Sequence, residues 1–590
     1  MNKEVSFKYI FNLIIKNKKL LIIGQIVTFM AILLSIPIPL LLPVLVDEVL
    51  LKKPDIIVSS INNFFGNGSA FYYIAIVAIC VISLRIIHFL AGVVITKIFT
   101  KISKYVTYQI RKDLLIHLKD VNMNEYESIG SGNISANLIT DVNTLDSFII
   151  SIASKFVSSV LTLVAVSIVI ISIDPILGIM ILVIQPIIML ISKKISKKTG
   201  VLKADENKAI SDFQNNLGEI LDLFSQIKAS NKEELFFNEA INKAKNIQIT
   251  SNEYSYKSVA YERFSFTIFL VVFELFRASG LILVEYNTLS IGMMFAMFGY
   301  IWFIITPIQD ILSIQYSHAS AKAAIQRINK IFILNVEKNG TELLCSKNKD
   351  LNIKIRGLNF SYSKEKQILK NINMTIKPNE KIALIGASGS GKTTLAQIIG
   401  GFYSKDNGVI EYNNISIDNI NKQSLREKVF LVLQMPILFN NTLRFNITMG
   451  DLSCSDIEIQ EALKIAQLDT LVENMTDGLD TTVGKYGVRL SGGQRQRLSI
   501  ARMIISNPSL VIFDESTSAL DVSTETNLFE ALKDILKNKT VITIAHRLST
   551  VKNAHKIYVL NDGNIVQSGT HEELENQEGE YSSFVKNQLL

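Results

Sequence analysis

Long apolar runs separated by polar connections dominate the first half of this 590-residue chain. A helix needs about 20 apolar residues to cross the hydrocarbon core of a bilayer. Backbone polar groups in lipid must pair within their own segment, so runs of this kind predict helices. Residues 1–316 are therefore predicted to form a transmembrane domain, with a first span that is kinked by Pro37, Pro39 and Pro43. The six predicted spans lie near residues 20–46, 70–95, 148–172, 175–192, 264–285 and 290–316.

Lysine and arginine predict how these spans are oriented. The N-terminal stretch and the connections 96–147 and 193–263 are rich in lysine, whereas the short turns near residues 174 and 286 have neither lysine nor arginine. Positive residues mark cytoplasmic segments, so the N-terminus and both long connections are predicted to be cytoplasmic. Helical periodicity continues into both connections and predicts helical extensions that end in short transverse tips. One tip is expected at 130–134 and the other within 212–230.

Composition supports this organisation and excludes some classes of protein. The chain is 48% hydrophobic with a mean hydropathy of +0.30, which suits a multi-pass membrane protein. Its net charge of +7 comes largely from lysines beside apolar runs, so we predict no nucleic-acid partner. Cys80, Cys345 and Cys454 lack the paired spacing of a disulfide framework or a metal site.

Ionisable residues within the apolar runs are candidates for function. Glu274 and Arg277 are three residues apart and can pair on one helix face, either as a structural pair or as a contact for substrate. Arg85 and His88 share a face of the second span. The sequence leaves the role of these four residues open.

The second half of the chain has a different pattern. Residues 317–350 predict a helical extension followed by a polar linker, and residues 351–590 alternate short strands with helices, which is typical of an α/β domain. A buried strand, a glycine-rich loop and a helix meet at a G-x-x-x-x-G-K-[ST] motif, whose backbone N–H groups cradle phosphates. Within it the lysine would hold the β- and γ-phosphates, and the first threonine would bind Mg²⁺. The motif residues are Gly386, Ser388, Gly389, Ser390, Gly391, Lys392, Thr393 and Thr394.

Two further motifs complete the predicted chemistry. The apolar run 509–513 ends in Asp514, which would hold Mg²⁺, and Glu515, which would polarise the attacking water. Ser491, Gly492, Gly493 and Gln494 open a helix and predict a second anion-binding helix N-terminus. One chain does not need two anion sites for one γ-phosphate. Two chains would need both sites if each chain completes the nucleotide site of the other.

With these motifs in this order after six spans, the chain resembles ATP-binding cassette (ABC) exporter half-transporters over essentially its whole length. The resemblance implies an α-helical membrane domain, with six transmembrane helices and long cytoplasmic extensions, fused to an α/β P-loop nucleotide-binding domain. It also implies site roles: an adenine-stacking aromatic, a glutamine that contacts Mg²⁺ and senses the γ-phosphate, an aspartate of the D-loop (518–521), and a switch histidine. The residues that match these roles are Tyr362, Gln434, Asp521 and His546.

The predicted function is ATP-driven, Mg²⁺-dependent export of an amphipathic or hydrophobic substrate, such as a drug, a lipid or a small peptide. The resemblance implies a dimer in the bacterial cytoplasmic membrane, with the nucleotide-binding domain on the cytoplasmic side. A homodimer is favoured because every ATPase motif is intact in one chain, and a heterodimer is the alternative. An importer or a gated channel built on the exporter fold is the alternative function.

Two departures from the family pattern bear on coupling and on substrate. The segment 481–487 replaces two acids that many family members carry, and Lys485 reverses one of those charges. In the membrane domain, Arg85 matches a basic residue of lipid A flippases. Gln309 is neutral where another basic residue is expected, which argues against lipid A as the substrate.

Overall fold

The computed structural model describes residues 4–53, 56–286, 288–344, 351–363, 366–434, 436–484, 488–515, 520–545 and 547–589. The chain divides into two compact units. The first comprises Met1–Ile116 and Gly132–Ile333, and its described elements are helical. The second comprises His117–Ser131 and Leu334–Leu590 and contains the described β-strands.

Among the described residues, thirteen α-helices precede the first strand. They are α1 (Phe7–Lys16), α2 (Lys18–Ser35), α3 (Pro37–Pro43), α4 (Ile56–Phe65), α5 (Ala70–Lys119), α6 (Met123–Ile129), α7 (Ser131–Ala136), α8 (Val142–Ile150), α9 (Val157–Ile173), α10 (Pro175–Asp222), α11 (Phe224–Ala229), α12 (Glu233–Glu285) and α13 (Ile291–Phe332). A short π-helical stretch continues α3 over Val44–Leu50. Two others join α7, α8 and α9 into one helical run, at Asn137–Asp141 and Ser151–Phe156.

Five helical stretches among the described residues are long and apolar enough to cross a membrane. They are Lys18–Leu50, Ala70–Lys119, Ser131–Ile173, Glu233–Glu285 and Ile291–Ile311. The predicted span at 175–192 falls in α10, where several side chains lie outside the described residues. The first unit therefore has the helices of a multi-pass membrane protein.

The ends and breaks of these helices follow from local sequence. The first span is interrupted between Ser35 and Pro37, where the proline ring cannot continue the hydrogen-bond ladder. Gly130 ends α6 in the left-handed region, with φ of 78°, before α7 begins at the next residue. The helix α11 lies between α10 and α12, within the range expected for the second tip. Both predicted tips are thus confirmed as chain turns between helices.

Several charged residues of the membrane unit are paired within it. Glu274 and Arg277 form an ion pair at 2.5 Å, so the pairing on one helix face that the sequence predicts is present. Asp141 is buried, and its carboxylate accepts three hydrogen bonds of 2.6–3.1 Å from the guanidinium of Arg327 on α13. His88 contacts the Ala31 carbonyl oxygen at 3.0 Å through its Nδ1 atom.

The second unit is an α/β domain. Its strands are β1 (Ile353–Ser363), β2 (Lys366–Ile376), β3 (Lys381–Gly386), β4 (Asn407–Tyr412), β5 (Ile415–Ser416), β6 (Val429–Val432), β7 (Asn441–Thr442), β8 (Thr482–Val483), β9 (Leu510–Asp514), β10 (Thr540–Ile544), β11 (Lys556–Asn561) and β12 (Asn564–Gly569). Its helices are α14 (Lys392–Ile399), α15 (Lys422–Lys428), α16 (Leu443–Thr448), α17 (Asp456–Ile465), α18 (Asp469–Glu473), α19 (Gly492–Ser506), α20 (Val522–Leu536), α21 (Leu548–Lys552), α22 (His571–Glu575) and α23 (Glu580–Leu589), with a 3₁₀ turn at Gly478–Asp480.

Two main sheets organise this domain. The larger has the strand order β12-β11-β3-β10-β9-β6, with parallel pairing from β11 to β6 and an antiparallel edge at β12. The smaller is antiparallel, with the order β2-β1-β4-β5. Every residue of β9 is buried, as expected for a central parallel strand. The carboxyl ends of β3, β9 and β10 therefore meet at one edge, where ligands bind in such sheets.

Residues 117–131, here named the docking segment, belong to the α/β unit although they lie between two membrane spans in the sequence. Val121 forms an antiparallel bridge with Val336. The Asn122 amide donates to the Asn335 carbonyl at 3.0 Å, and the Asn335 side chain donates to Glu125 at 2.5 Å. The hydropathy pattern predicts that this segment belongs to the membrane domain. The structure differs because local periodicity cannot reveal these long-range partners.

The boundary near residue 316 also differs in detail from the sequence pattern. The helix α13 continues without interruption to Phe332, so the predicted helical extension is part of the last membrane helix. The α/β unit begins at Leu334. Residues 345–350 of the predicted linker, including Cys345, lie outside the described residues.

Candidate nucleotide-binding site

The glycine-rich loop connects β3 to α14 in the order that the sequence predicts. Gly386 has φ of 147°, and a Cβ there would lie 2.0 Å from the Leu560 carbonyl oxygen. Gly391 caps α14 in the left-handed region, with φ of 100°. Both positions require glycine, so the loop has a fixed shape that turns backbone N–H groups toward the N-terminus of α14.

Lys392 is buried inside this loop. Its Nζ atom donates hydrogen bonds to the carbonyl oxygens of Gly386 and Ala387, each at 2.9 Å. Burial lowers the pKa of Lys392, while the nearby carboxylates of Glu515 and Asp514 act in the opposite direction. The ammonium group is thus held at the loop by carbonyl dipoles, next to the position where phosphate oxygens would bind.

Ser390 carries the clearest sign that the loop fits an anion. Its Oγ atom is buried and has no hydrogen-bond partner among the described residues. A buried hydroxyl without a partner is unfavourable by roughly 1–3 kcal/mol, so such groups in native proteins usually face a ligand or an ordered water. A phosphate oxygen would satisfy this hydroxyl together with the loop N–H groups of Ser388 and Gly389.

Oxygen donors for a metal ion lie at the carboxyl end of β9. The Thr393 hydroxyl donates to the Asp514 Oδ1 atom at 2.9 Å, so the two predicted Mg²⁺ ligands are already together. The Gln434 side chain donates to the Glu515 Oε2 atom at 2.7 Å. The Gln496 side-chain amide donates to the Gln434 backbone carbonyl oxygen at 3.0 Å. Hydroxyl, carboxylate and amide oxygens are the donors that Mg²⁺ prefers, so this set fits the ion.

Glu515 directly follows β9 in an unusual backbone conformation. Its φ of 45° lies in the left-handed region, which is uncommon for a residue with a side chain. Such strain tends to persist where surrounding contacts hold it, and here the Gln434 side chain binds the carboxylate. The Glu515 carboxylate is thereby held near the loop that would bind the γ-phosphate.

Tyr362 presents an aromatic face next to the phosphate loop. The side chain is 46% exposed, and its hydroxyl lies 3.0 Å from the Thr394 Oγ1 atom. The ring makes edge contacts with Phe360 and Tyr403, with centroids 4.9 and 5.4 Å away. An exposed ring that is fixed from behind can stack on a planar base.

The second predicted anion site is the N-terminus of α19. Ser491 caps the helix, and a reciprocal capping box joins it to Gln494 at 3.2 and 2.8 Å. Gly492 and Gly493 form the first turn of the helix. Among the described residues, no hydrogen bond or ion pair connects residues 491–494 to the phosphate loop of the same chain.

The remaining predicted site residues are only partly described. Asp521 caps α20, and hydrogen bonds from Ser523 and Thr524 lower its pKa, so the carboxylate remains charged. Residues 516–519 of the D-loop, Lys485 and the switch histidine His546 lie outside the described residues.

One contact near the site was not predicted from the sequence. The Tyr403 hydroxyl donates to both carboxylate oxygens of Glu127 in the docking segment, at 3.0 Å each. Burial raises the pKa of Tyr403, and the bond to Glu127 raises it further, so the phenol remains protonated and donates. These residues are 276 positions apart, and no local motif marks either of them.

Fold and site together define a membrane protein that carries its own nucleotide-binding domain. The chain matches two family descriptions, the ABC transporter transmembrane region over residues 21–308 and the ABC transporter over residues 369–518. It belongs to the ABC transporter family. It binds ATP and couples ATP hydrolysis to transport, and the fold class predicted from the sequence is confirmed.

Named relatives cover most of the chain. The ABC transporter ATP-binding protein YwjA of Bacillus subtilis (strain 168) is 33% identical over 482 residues, or 80% of this chain and 82% of that protein. The ATP-dependent lipid A-core flippase of Legionella pneumophila (strain Paris) is 30% identical over 496 residues, or 82% of this chain and 83% of that protein. A solved bacterial Atm1-family ABC exporter with ATP bound shares the fold, with a TM-score of 0.82 over 97% of this chain and 99% of that chain, at 19% identity.

The site geometry generates a direct prediction for Glu515. If its carboxylate polarises the attacking water, Glu515→Gln should lower steady-state phosphate release by at least about 10²-fold, because the amide cannot accept the proton. Binding of a fluorescent ATP analogue should remain near wild type, since Lys392 and the loop are unchanged. The matched control is Glu530→Gln on the exposed side of α20, which should alter neither value. Hydrolysis at the wild-type rate in Glu515→Gln would remove Glu515 from this role.

Proposed function

We propose that this protein is an ATP-driven exporter that acts as a dimer and moves amphipathic or hydrophobic substrates outward across the bacterial cytoplasmic membrane. The observation that carries the proposal is the separation of two anion-binding elements. The phosphate loop presents the Ser390 hydroxyl, which has no partner among the described residues, and α19 presents a glycine-rich helix N-terminus, yet no described hydrogen bond or ion pair joins the two elements within one chain. A second copy of the chain can supply the missing half of each nucleotide site.

In this dimer, each ATP lies between the loop of one protomer and the α19 N-terminus of the other. Lys392 and Thr393 contribute from one side, and Ser491 and Gly493 from the other. A homodimer is favoured because the described motifs of this chain are intact on both sides of that interface. A heterodimer with a related chain is the alternative.

The described residues support hydrolysis by positioning and charge. Lys392 would neutralise developing charge on the β- and γ-phosphates, and the N–H groups of the loop would hold them. Thr393, Asp514 and Gln434 would hold Mg²⁺, which supplies Lewis-acid charge stabilisation when bound. Glu515 would orient and polarise water, and His546 would stabilise the γ-phosphate by its place in the motif.

Export of an amphipathic substrate is supported by the comparisons and by the membrane unit. One relative is a lipid A-core flippase, and the solved neighbour is an exporter. Lipid A itself is disfavoured for this chain, since Gln309 is neutral where a basic residue is expected. We therefore propose an amphipathic or hydrophobic substrate, such as a drug, a lipid or a small peptide.

Coupling between nucleotide and membrane helices would pass through the docking segment. The Tyr362 ring beside the phosphate loop contacts Tyr403, and Tyr403 binds Glu127. The docking segment is continuous in the chain with α5 on one side and α7 on the other. A movement of the nucleotide-binding domain would therefore pull on two membrane-spanning stretches through the backbone itself.

Transport in sealed vesicles tests the export direction. With the nucleotide-binding domain facing outward and ATP added outside, substrate should accumulate inside the vesicles against its gradient. Glu515→Gln vesicles should show no accumulation, since the cycle cannot turn over. An importer would deplete the lumen instead, and a channel would equilibrate substrate without net accumulation; either result would contradict the proposal.

Tyr403→Phe tests the proposed coupling route. The change removes one hydroxyl and keeps the ring contact with Tyr362. A hydrogen bond to a charged group contributes about 1.5–3 kcal/mol, and since Glu127 is exposed we expect the lower part of that range. Substrate moved per ATP hydrolysed should fall roughly ten- to fifteenfold, the factor that about 1.5 kcal/mol corresponds to, while the KM for ATP stays within about twofold.

The matched control is Tyr412→Phe, which removes a hydroxyl that donates to the Ile399 carbonyl inside the same domain. It should destabilise the domain without changing substrate moved per ATP. In a double-mutant cycle, adding Glu127→Gln to Tyr403→Phe should cause little further loss, because the two side chains act through one bond. Full coupling in Tyr403→Phe would show that the contact is only structural.

A further inference from the structure

A cavity of about 970 Å³ lies within the membrane unit, bounded by α10, α12 and α13. Its lining residues all belong to the membrane unit. Cavities of this size hold drug-sized or larger ligands, and their few polar groups set the orientation of the ligand. The distribution of apolar and charged groups along this cavity is therefore informative about substrate class.

One face of α12 supplies an aromatic stripe along the cavity. Phe266, Phe269, Phe273 and Phe276 recur at intervals of three and four residues and all line it. The Trp302 ring lies behind the stripe, with centroids 6.1 Å from Phe269 and 6.3 Å from Phe273. The stripe is thus a fixed surface of ring faces and edges.

Glu262 lies on the same face of α12, one helical turn before the first phenylalanine, and also lines the cavity. From Glu262 to Phe276 the helix rises about 21 Å at 1.5 Å per residue. Within the described part of the chain, the Glu262 carboxylate has no ion pair and no side-chain hydrogen bond. Tyr261 and Ser265 lie beside it in the lining.

Lys203 is the other charged residue among the described lining residues, but its charge is already compensated. Its Nζ atom lies 2.5 Å from the Glu206 Oε2 atom and 4.7 Å from the centre of the Tyr254 ring. Glu206 is buried and also accepts a hydrogen bond of 2.6 Å from Ser251. The pair Lys203–Glu206 is therefore neutral, and among the described lining residues the uncompensated charge is the single negative charge of Glu262.

We propose that this cavity binds an amphipathic organic cation, with its positive group at Glu262 and its apolar body along the stripe of phenylalanines. The proposal rests on the proposed export function and names the substrate class of that transporter. A carboxylate attracts the cation, and ring faces attract it further through cation–π interactions. The apolar part gains by leaving water, and an anion of the same shape would meet uncompensated negative charge at Glu262.

Two probes of nearly identical shape and opposite charge test this assignment. Tetraphenylphosphonium and tetraphenylborate would be titrated against the full-length protein in lipid nanodiscs without nucleotide, with empty nanodiscs subtracted. Wild-type protein should bind the cation at least tenfold more tightly than the anion. Glu262→Gln should weaken cation binding about five- to tenfold, leave anion binding unchanged or tighter, and retain wild-type elution and basal ATP hydrolysis.

Two further variants separate charge recognition from packing. Glu274→Gln changes an acid of the same helix that is paired with Arg277 and does not line the cavity, so it should leave the preference for the cation intact. Phe273→Ala should weaken both probes, since it removes apolar surface and no charge. A preference for the anion would overturn the assignment and would point to Lys203 as the recognising charge. An unchanged preference for the cation in Glu262→Gln would also overturn it, because Glu262 would then not be the group that recognises the cation.

The binding measurement and the vesicle measurement test the cation assignment and the export function separately, so either one can fail without the other. Cation binding that depends on Glu262, in a protein that accumulates no substrate with ATP, would leave this assignment standing and reject export. ATP-driven accumulation without any preference between the two probes would leave export standing and reject this assignment.

Discussion

The proposed mechanism depends on one electrostatic constraint, which is that the highly charged triphosphate of ATP needs donors from both anion-binding elements, and one chain does not bring its own two elements together among the described residues. On one side, the phosphate loop supplies N–H groups, the Lys392 ammonium and the Ser390 hydroxyl, which has no partner in the described part of the chain. The N-terminus of α19 supplies a second set that no described hydrogen bond joins to the loop in the same chain. Because helix N-termini bind anions, the proposed arrangement lets two copies each add this second set of donors to the other's nucleotide. In the proposed dimer, ATP would be the ligand that favours the closed state over the open one.

In the proposed cycle, closure must reach the membrane helices, and the docking segment is the proposed route. It is part of the α/β unit by its contacts, yet it is covalently continuous with two spans. Backbone pairing at Val121 and Val336 fixes it to the start of the nucleotide-binding domain, and Glu127 fixes it to Tyr403.

Much of the fold was predictable because hydropathy and glycine chemistry act locally. The apolar runs predict helices for a physical reason that needs no partner, and the loop before Lys392 needs glycine at positions with positive φ. Long-range contacts were not predictable in this way. Neither the assignment of residues 117–131 to the α/β unit nor the bond between Tyr403 and Glu127 has any local signature. The pairing of Lys203 with Glu206 could be suspected from spacing, but the isolation of Glu262 required the packed structure.

Disulfide trapping across the proposed interface tests the central claim most directly. Cys80, Cys345 and Cys454 would first be replaced by serine, and Ser388→Cys and Ser491→Cys introduced with Glu515→Gln so that ATP remains bound. The account predicts a covalent dimer that forms under mild oxidation with ATP and Mg²⁺ and is largely absent without nucleotide. Replacing Ser491→Cys with Ser455→Cys, at the exposed N-terminus of α17, should abolish it. If the 388–491 pair forms no intermolecular disulfide under trapped ATP, nucleotide is not held between two copies of this chain and the account is contradicted.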